Sequence, residues 1–251
     1  MMRLMPRPSA FTSSIACLAA ALLLSHCATS SSPGAPGKIG PLAKVTRAET
    51  LAIADRYLNH QWHPTEANRM HGFDVDGQRV DTPDASFAPA GVTPGYWKPG
   101  LVNFGVPYCW GGHDTPEQFD NALKAGKYAG DIYTAQKRAG LEDAVSRHTT
   151  GVDCSGFVSR CWGLEWHCST RTIPYICEKL PSYHDLLPGD VLNTVNGHVV
   201  LFAAFSKPDK SELLVYETGS PLGWRVTKHT VPVWFLKQQD YLPYRYKGIK
   251  G

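Results

Sequence analysis

The first apolar run of the chain, Ile15 to Leu24, is preceded by Arg3 and Arg7 and followed by small residues. It is shorter than the roughly 20 apolar residues that a membrane-spanning helix needs. A positive flank, a short apolar core and a small-residue exit predict a secretory signal peptide over residues 1–27. Residues 28–45 are small and rich in Pro, Gly and Ser, and read as a flexible tether. Helical periodicity begins at Thr46. There Thr46-Arg47-Ala48-Glu49 has the form of a capping box, and Leu51, Ala54 and Leu58 recur at helical spacing. A turn-rich stretch follows over 59–106, punctuated by Asp-Gly, Pro-Asp and Pro-Gly pairs. A second helix is predicted to start with Thr115 as cap, Pro116 in the first position and Gln118 closing the box. Helical character then continues patchily to about Arg147.

From Cys154 the pattern changes. Phe157, Val158, Cys161 and Trp162 mark one face of a helix. Short β-type runs come next, at Asp190 to Val195, His198 to Phe205, Leu213 to Glu217, Trp224 to Thr230 and Tyr241 to Tyr246, separated by turn signals and without long helices between them. This order predicts an α+β fold, an antiparallel sheet with helices packed on one side. The strands alone would leave the sheet poorly covered, so 46–251 is expected to form a single domain.

At 251 residues the chain is long enough for a self-sufficient core. A net charge of +3, without a long Lys/Arg run, argues against nucleic acid as a partner. Of seven cysteines, Cys17 and Cys27 fall in the leader and five lie beyond it: Cys109, Cys154, Cys161, Cys168 and Cys177. An odd number leaves at least one thiol unpaired. In an oxidising compartment Cys168 and Cys177, close in sequence, are the expected couple, although spacing alone leaves the connectivity open. No Cys-x-x-Cys pair suggests zinc, and His60 and His63 lack further ligands, so neither a metal nor a cofactor is expected. Leu24-Ser25-His26-Cys27 is similar to a bacterial lipobox, whose Cys is lipidated and ties the protein to a membrane; His26 stands where a small residue is usual. The alternative is that Cys27 is incidental.

A hydrolytic cysteine needs a helix N-terminus and an imidazole to favour its thiolate, a polar group to hold that imidazole, and donors aimed at the developing oxyanion. Cys154 opens its helix after Gly151-Val152-Asp153, with free amides around it. His198 leads a strand on which Val200, Phe202 and Ala204 share its face. It reaches Cys154 if the Cys154 helix packs on that face. Glu217 shares a face with Leu213 and Val215 on the next strand. Antiparallel neighbours there are about 5 Å apart, so Glu217 can accept the second imidazole proton. The competing readings are a buried structural thiol, a core histidine and a solvated strand end. Cys161 is read as core, His113 as a residue that can face the cleft, and Asp153 and Asp190 as turn-tying groups.

Four segments in order carry a family resemblance. Asp153-Cys154-Ser155-Gly156-Phe157-Val158 resembles the D-C-S-G signature of the NlpC/P60 cysteine peptidases. Pro107-Tyr108-Cys109-Trp110-Gly111-Gly112 is similar to their P-Y-x-W-G-G, Leu187-Pro188-Gly189-Asp190-Val191 to their L-x-P-G-D turn, and Gly197-His198-Val199 to their G-H-V. The resemblance spans about Pro107 to residue 220. It implies a papain-like domain with Cys154 as nucleophile, His198 as base and Glu217 as third member, where His, Asn or Gln is more usual. Tyr108 is implied beside the oxyanion, with Asp153, Ser155 and Trp110 in the substrate site. The chain departs from small members by an N-terminal extension and an insertion at 113–150. The implied reaction is amide hydrolysis through a thioester in cell-wall stem peptides, in the cell envelope. A cysteine amidase or acyltransferase on a non-wall amide, and a catalytically silent envelope-binding protein, are the alternatives.

Overall fold

The computed structural model describes residues 39–251 apart from Pro221. The expected signal peptide and Cys27 lie outside the described residues. Among those described, no helix is long and apolar enough to cross a membrane.

Both capping boxes form as the sequence predicts. Helix α1 (Arg47–Asn59) starts where the Thr46 amide donates to the Glu49 carboxylate at 2.8 Å and the Glu49 amide donates to the Thr46 hydroxyl at 3.1 Å. Helix α2 (Pro116–Lys124) repeats this with Thr115 and Gln118. Helix α3 (Ala135–Gly140) and helix α4 (Cys154–Cys161) follow.

Six strands make the main sheet: β1 (Cys177–Lys179), β2 (Val191–Asn193), β3 (Val199–Phe205), β4 (Glu212–Gly219), β5 (Arg225–Pro232) and β6 (Leu242–Tyr246). Their order is β5-β4-β3-β2-β6-β1, and every pairing is antiparallel. Mixed helix and strand around an antiparallel sheet is compatible with the α+β expectation. Edge strand β1 was hidden in a Pro/Ser-rich connection that carries no alternating pattern.

Alternation along the strands builds two cores. On one face Val199, Leu201, Ala203, Tyr216 and Val226 pack with Phe157, Val158 and Cys161 of α4 and with Ala54 and Tyr57 of α1. On the other, Val200, Phe202, Leu213, Val215 and Val231 pack with Leu180, Tyr183, Leu186 and Leu236. The expectation of helices on one side is therefore incomplete. The second face is covered by the chain between β1 and β2 and by the short helix Val233–Gln238.

The tether expected up to residue 45 also ends earlier. The Pro41 carbonyl accepts the Trp166 indole N–H at 2.8 Å and the Ala43 carbonyl accepts the Tyr246 hydroxyl at 2.8 Å. Val45–Thr46 pairs in parallel with Ile249–Lys250. Small residues suit close packing as well as flexibility, and composition does not separate the two.

Asp190 joins the ends of the domain. Its buried carboxylate accepts from the Leu187 amide at 2.9 Å, closing the Leu187–Asp190 turn as expected. It also accepts from Arg245 of β6 at 2.7 Å and from Arg47 of α1 at 3.0 Å. Removing one member of such a group leaves buried charge without its partner. Asp190→Ala is expected to lower the unfolding free energy by about 3–5 kcal/mol in urea titration, whereas a loss below about 1 kcal/mol would contradict this role.

Candidate active site

The start of α4 is set by contact between two backbones. The Asp153 amide donates to the Gly112 carbonyl at 3.0 Å, and a Cβ at Gly156 would collide with that same oxygen. Only glycine at 156 lets the Trp110-Gly111-Gly112 segment lie on the first turn of the helix. Asp153 caps the turn, accepting the Gly156 amide at 2.6 Å. The amides of Cys154 and Ser155 have no acceptor inside the helix, so the positive end of its dipole falls at the Cys154 thiol. Cys154 is 8% exposed.

Asp153 and Ser155 face a residue that sequence reasoning missed. His167 Nε2 lies 3.0 Å from the Asp153 carboxylate and 3.2 Å from the Ser155 hydroxyl, which itself donates to Asp153 at 2.9 Å. Burial alone would raise the Asp153 pKa, but His167 and the bonds from Gly156 and Ser155 outweigh it and hold the group below its ordinary value. Burial opposes charge on His167 too, and Asp153 raises its pKa nonetheless. Aspartate and imidazole thus favour each other's charged forms at the cap. His113, read as able to face the cleft, is instead turned edge-on to the His167 ring, 5.8 Å between centroids. Its Nε2 is buried and unpartnered, and burial with Arg160 nearby pushes its pKa down to about 3, so it stays neutral.

His198 immediately precedes β3. Its amide donates to the Thr194 hydroxyl at 2.8 Å, and its carbonyl accepts the Thr194 amide at 2.9 Å, which fixes its backbone. Helix α4 does not pack on the face that carries Val200 and Phe202, as the sequence argument required, but on the opposite one. His198 is still close enough to Cys154 for the thiol to act on its pKa. Both residues stand at the ends of their elements, so they meet at the end of the sheet rather than across its face.

Glu217 lies diagonally from His198 on the neighbouring strand, and its Oε2 is 2.9 Å from His198 Nε2. With Nε2 engaged, Nδ1 is the ring nitrogen left for the thiol. The other carboxylate oxygen, Oε1, is 2.8 Å from Nε2 of His229 on β5. His229 stands opposite Val215 and Thr227 opposite Glu217, so His229 and Glu217 are also diagonal neighbours on one face. Burial would raise the Glu217 pKa, but the two imidazoles bring it down to about 2. Burial likewise works against charge on His198, and the Tyr241 hydroxyl, Cys154 and Glu217 together lift its pKa well above the usual imidazole value.

Tyr108 is buried, with its ring on Trp224 at 5.5 Å. Gly219, with φ of +129°, has its open side towards both Tyr108 and His198; a Cβ there would be 3.5 Å from one ring and 3.8 Å from the other. Tyr108 therefore joins Cys154 and His198 at one place. Burial and the neighbouring Cys154 and Asp153 raise its pKa well above 10.0, so its phenol remains a proton donor. Trp110 packs against the apolar cluster that contains Tyr108, Ile132 and Trp224. Its indole donates to the Leu141 carbonyl at 3.2 Å and its ring lies 6.3 Å from that of Tyr133.

The remaining candidates separate cleanly. Cys109, Cys161, Cys168 and Cys177 are free and buried, so the expected Cys168–Cys177 pair does not form. Burial pushes all four thiols up, that of Cys168 to about 12. His60 pairs with Asp120 at 2.8 Å, and the described residues contain no group able to hold a metal ion. No protein-family model, curated protein or solved structure matches the chain.

His229 was discoverable in principle from strand register, because it alternates onto the face of Glu217. His167 lies in an irregular connection and leaves no such signal. A depressed carboxylate contributes stability that is present above its unfolded pKa and lost as pH falls through the folded one. The advantage in unfolding free energy of the wild type over Glu217→Gln is expected to decline as the pH drops from 4.5 towards about 2. An advantage unchanged over that interval, measured by urea unfolding at each pH, would contradict the geometry.

Proposed function

We propose that the chain is a cysteine hydrolase of amide bonds, with Cys154 as nucleophile, His198 as base and acid, and Glu217 orienting His198. The observation that carries this reading is one imidazole, His198, held at 2.9 Å by a largely shielded carboxylate and neighbouring a thiol that opens a helix. A thiol so placed passes its proton to the imidazole and attacks as thiolate.

In the proposed reaction, Cys154 Sγ bonds to the carbonyl carbon and the π electrons move to oxygen. The Cys154 amide and the Tyr108 hydroxyl are suited to receive that oxyanion. Collapse breaks the C–N bond as the His198 imidazolium protonates the leaving amine, giving a thioester. Water, deprotonated by His198, then attacks the thioester, releases the carboxylic acid and restores the thiol. Glu217 stabilises the imidazolium in both halves and keeps Nδ1 aimed at the thiol.

The α+β architecture, with the nucleophile at a helix N-terminus against an antiparallel sheet, is compatible with a papain-like fold. Together with the four NlpC/P60-like segments, it supports a peptide bond of bacterial cell-wall stem peptides as the substrate. The leader, with Cys27 as a lipid attachment point, supports the cell envelope as the place of action. On purified peptidoglycan fragments, Cys154→Ala is expected to reduce product release at least about 1,000-fold by mass spectrometry, since the chemical step loses its nucleophile. Equal release from both proteins would remove the claim. Cleavage confined to non-wall amides, in a parallel panel, would move the assignment to an amidase or acyltransferase.

A further inference from the structure

Glu217 serves two imidazoles, and a hydrolase needs only one. His198 Nε2 takes Oε2 at 2.9 Å, and His229 Nε2 takes Oε1 at 2.8 Å. The second imidazole is fixed in turn by its own ring, whose Nδ1 lies 3.1 Å from the Thr230 carbonyl. Its side chain is 27% exposed, so protons can exchange with solvent, while the carboxylate between the rings is 12% exposed. The charge on His229 is therefore felt by His198 through a carboxylate largely shielded from water, where electrostatic interactions are strong.

We infer that His229 is a positioning residue that governs the reactivity of Cys154, by dividing the Glu217 carboxylate between two imidazolium ions when protonated and leaving it wholly to His198 when neutral. The inference rests on the reading of Cys154 and His198 as the reacting pair. Below its own pKa, His229 competes for the negative charge that stabilises the His198 imidazolium, and the thiolate beside His198 is correspondingly disfavoured. Once His229 releases the Nδ1 proton it gives up its bond to the Thr230 carbonyl and remains a neutral Nε2–H donor to Oε1, so the carboxylate keeps its orientation while its full charge falls on His198. Burial works against protonating His229 and Glu217 favours it, with the net effect that the imidazole holds its proton more tightly than an ordinary one.

The other charged groups near this strand are engaged elsewhere. On β5, Lys228 turns to the opposite face, its ammonium 3.6 Å from Asp55 of α1 and over the Tyr216 ring. On the helix Val233–Gln238 that packs beside β5, Lys237 lies over the Tyr183 ring at 5.5 Å. From β4, β3 and the approach to β6 come Glu217, His198 and Tyr241, whose ring is edge-on to His198 at 6.4 Å. Tyr241 is kept protonated, as burial raises its pKa. Glu217 and His198 are thus the ionised partners that answer to the state of His229.

The test requires no substrate, which separates it from the assignment of the reaction. The rate of Cys154 alkylation by iodoacetamide is measured on the full chain across the neutral range of pH, with the Cys154 peptide quantified by mass spectrometry. The wild type should need three ionisations: formation of the reactive pair, its loss at high pH and a rise in rate between them as His229 gives up its proton. His229→Gln, which keeps an N–H donor but does not titrate, should need only two, and so should His229→Ala. A wild-type profile fitted by two ionisations, or a middle step that persists in His229→Gln, would overturn the inference. Absence of peptide cleavage with the three-step profile intact would instead fall on the proposed reaction alone.

Discussion

The contact of Gly112 with the first turn of α4 is the constraint on which the site depends. One carbonyl oxygen accepts the Asp153 amide and lies where a Cβ of residue 156 would be. Two stretches 40 residues apart in sequence are locked in register by that closeness, and the capping carboxylate of Asp153 then fixes where the helix begins. The thiol is placed by this arrangement and not by its own packing. Tyr108 sits four residues before Gly112, and its amide donates to the Trp224 carbonyl at 2.7 Å, which brings the region ahead of β5 to the same locus. The stretch 113–150 is braced on this segment through Asp131, whose amide donates to the Tyr108 carbonyl at 2.9 Å.

Charge alternates through the site. Asp153 and His167 favour each other's charged forms at the helix cap. Glu217 stabilises positive charge on His198, and His229 moderates Glu217. Two acid–imidazole arrangements therefore lie near Cys154, one at the helix cap and the other at His198. The other four thiols are deep enough that desolvation keeps them protonated.

Much of this was legible in the sequence where the signal is local. Capping boxes at Thr46 and Thr115 depend on residues three apart and formed as read. Period-two alternation located β3, β4 and β5, and their faces. Helix α4 packs on the face of β3 opposite the one the condition for a Cys154–His198 pair named, because alternation says which residues share a side but not which side a distant helix takes. His198 reaches Cys154 anyway, since an element end is not bound by the face of the strand behind it. His229, on the next strand, falls on the face of Glu217 by the same alternation. His167, and the packing of Pro41 and Ala43 against the domain, depend on irregular chain whose partners lie over 100 residues away or in loops, and no periodic signal encodes them.

The central claim is that Tyr241, Cys154 and Glu217 together raise the His198 pKa above that of an ordinary imidazole. Nuclear magnetic resonance of the imidazole nitrogens tests this directly. The account predicts that His198 in the wild type titrates well above 6.5, and that its pKa falls in both Cys154→Ser and Glu217→Gln. A His198 that titrates near 6.5 in the wild type and is unmoved by either substitution would contradict it.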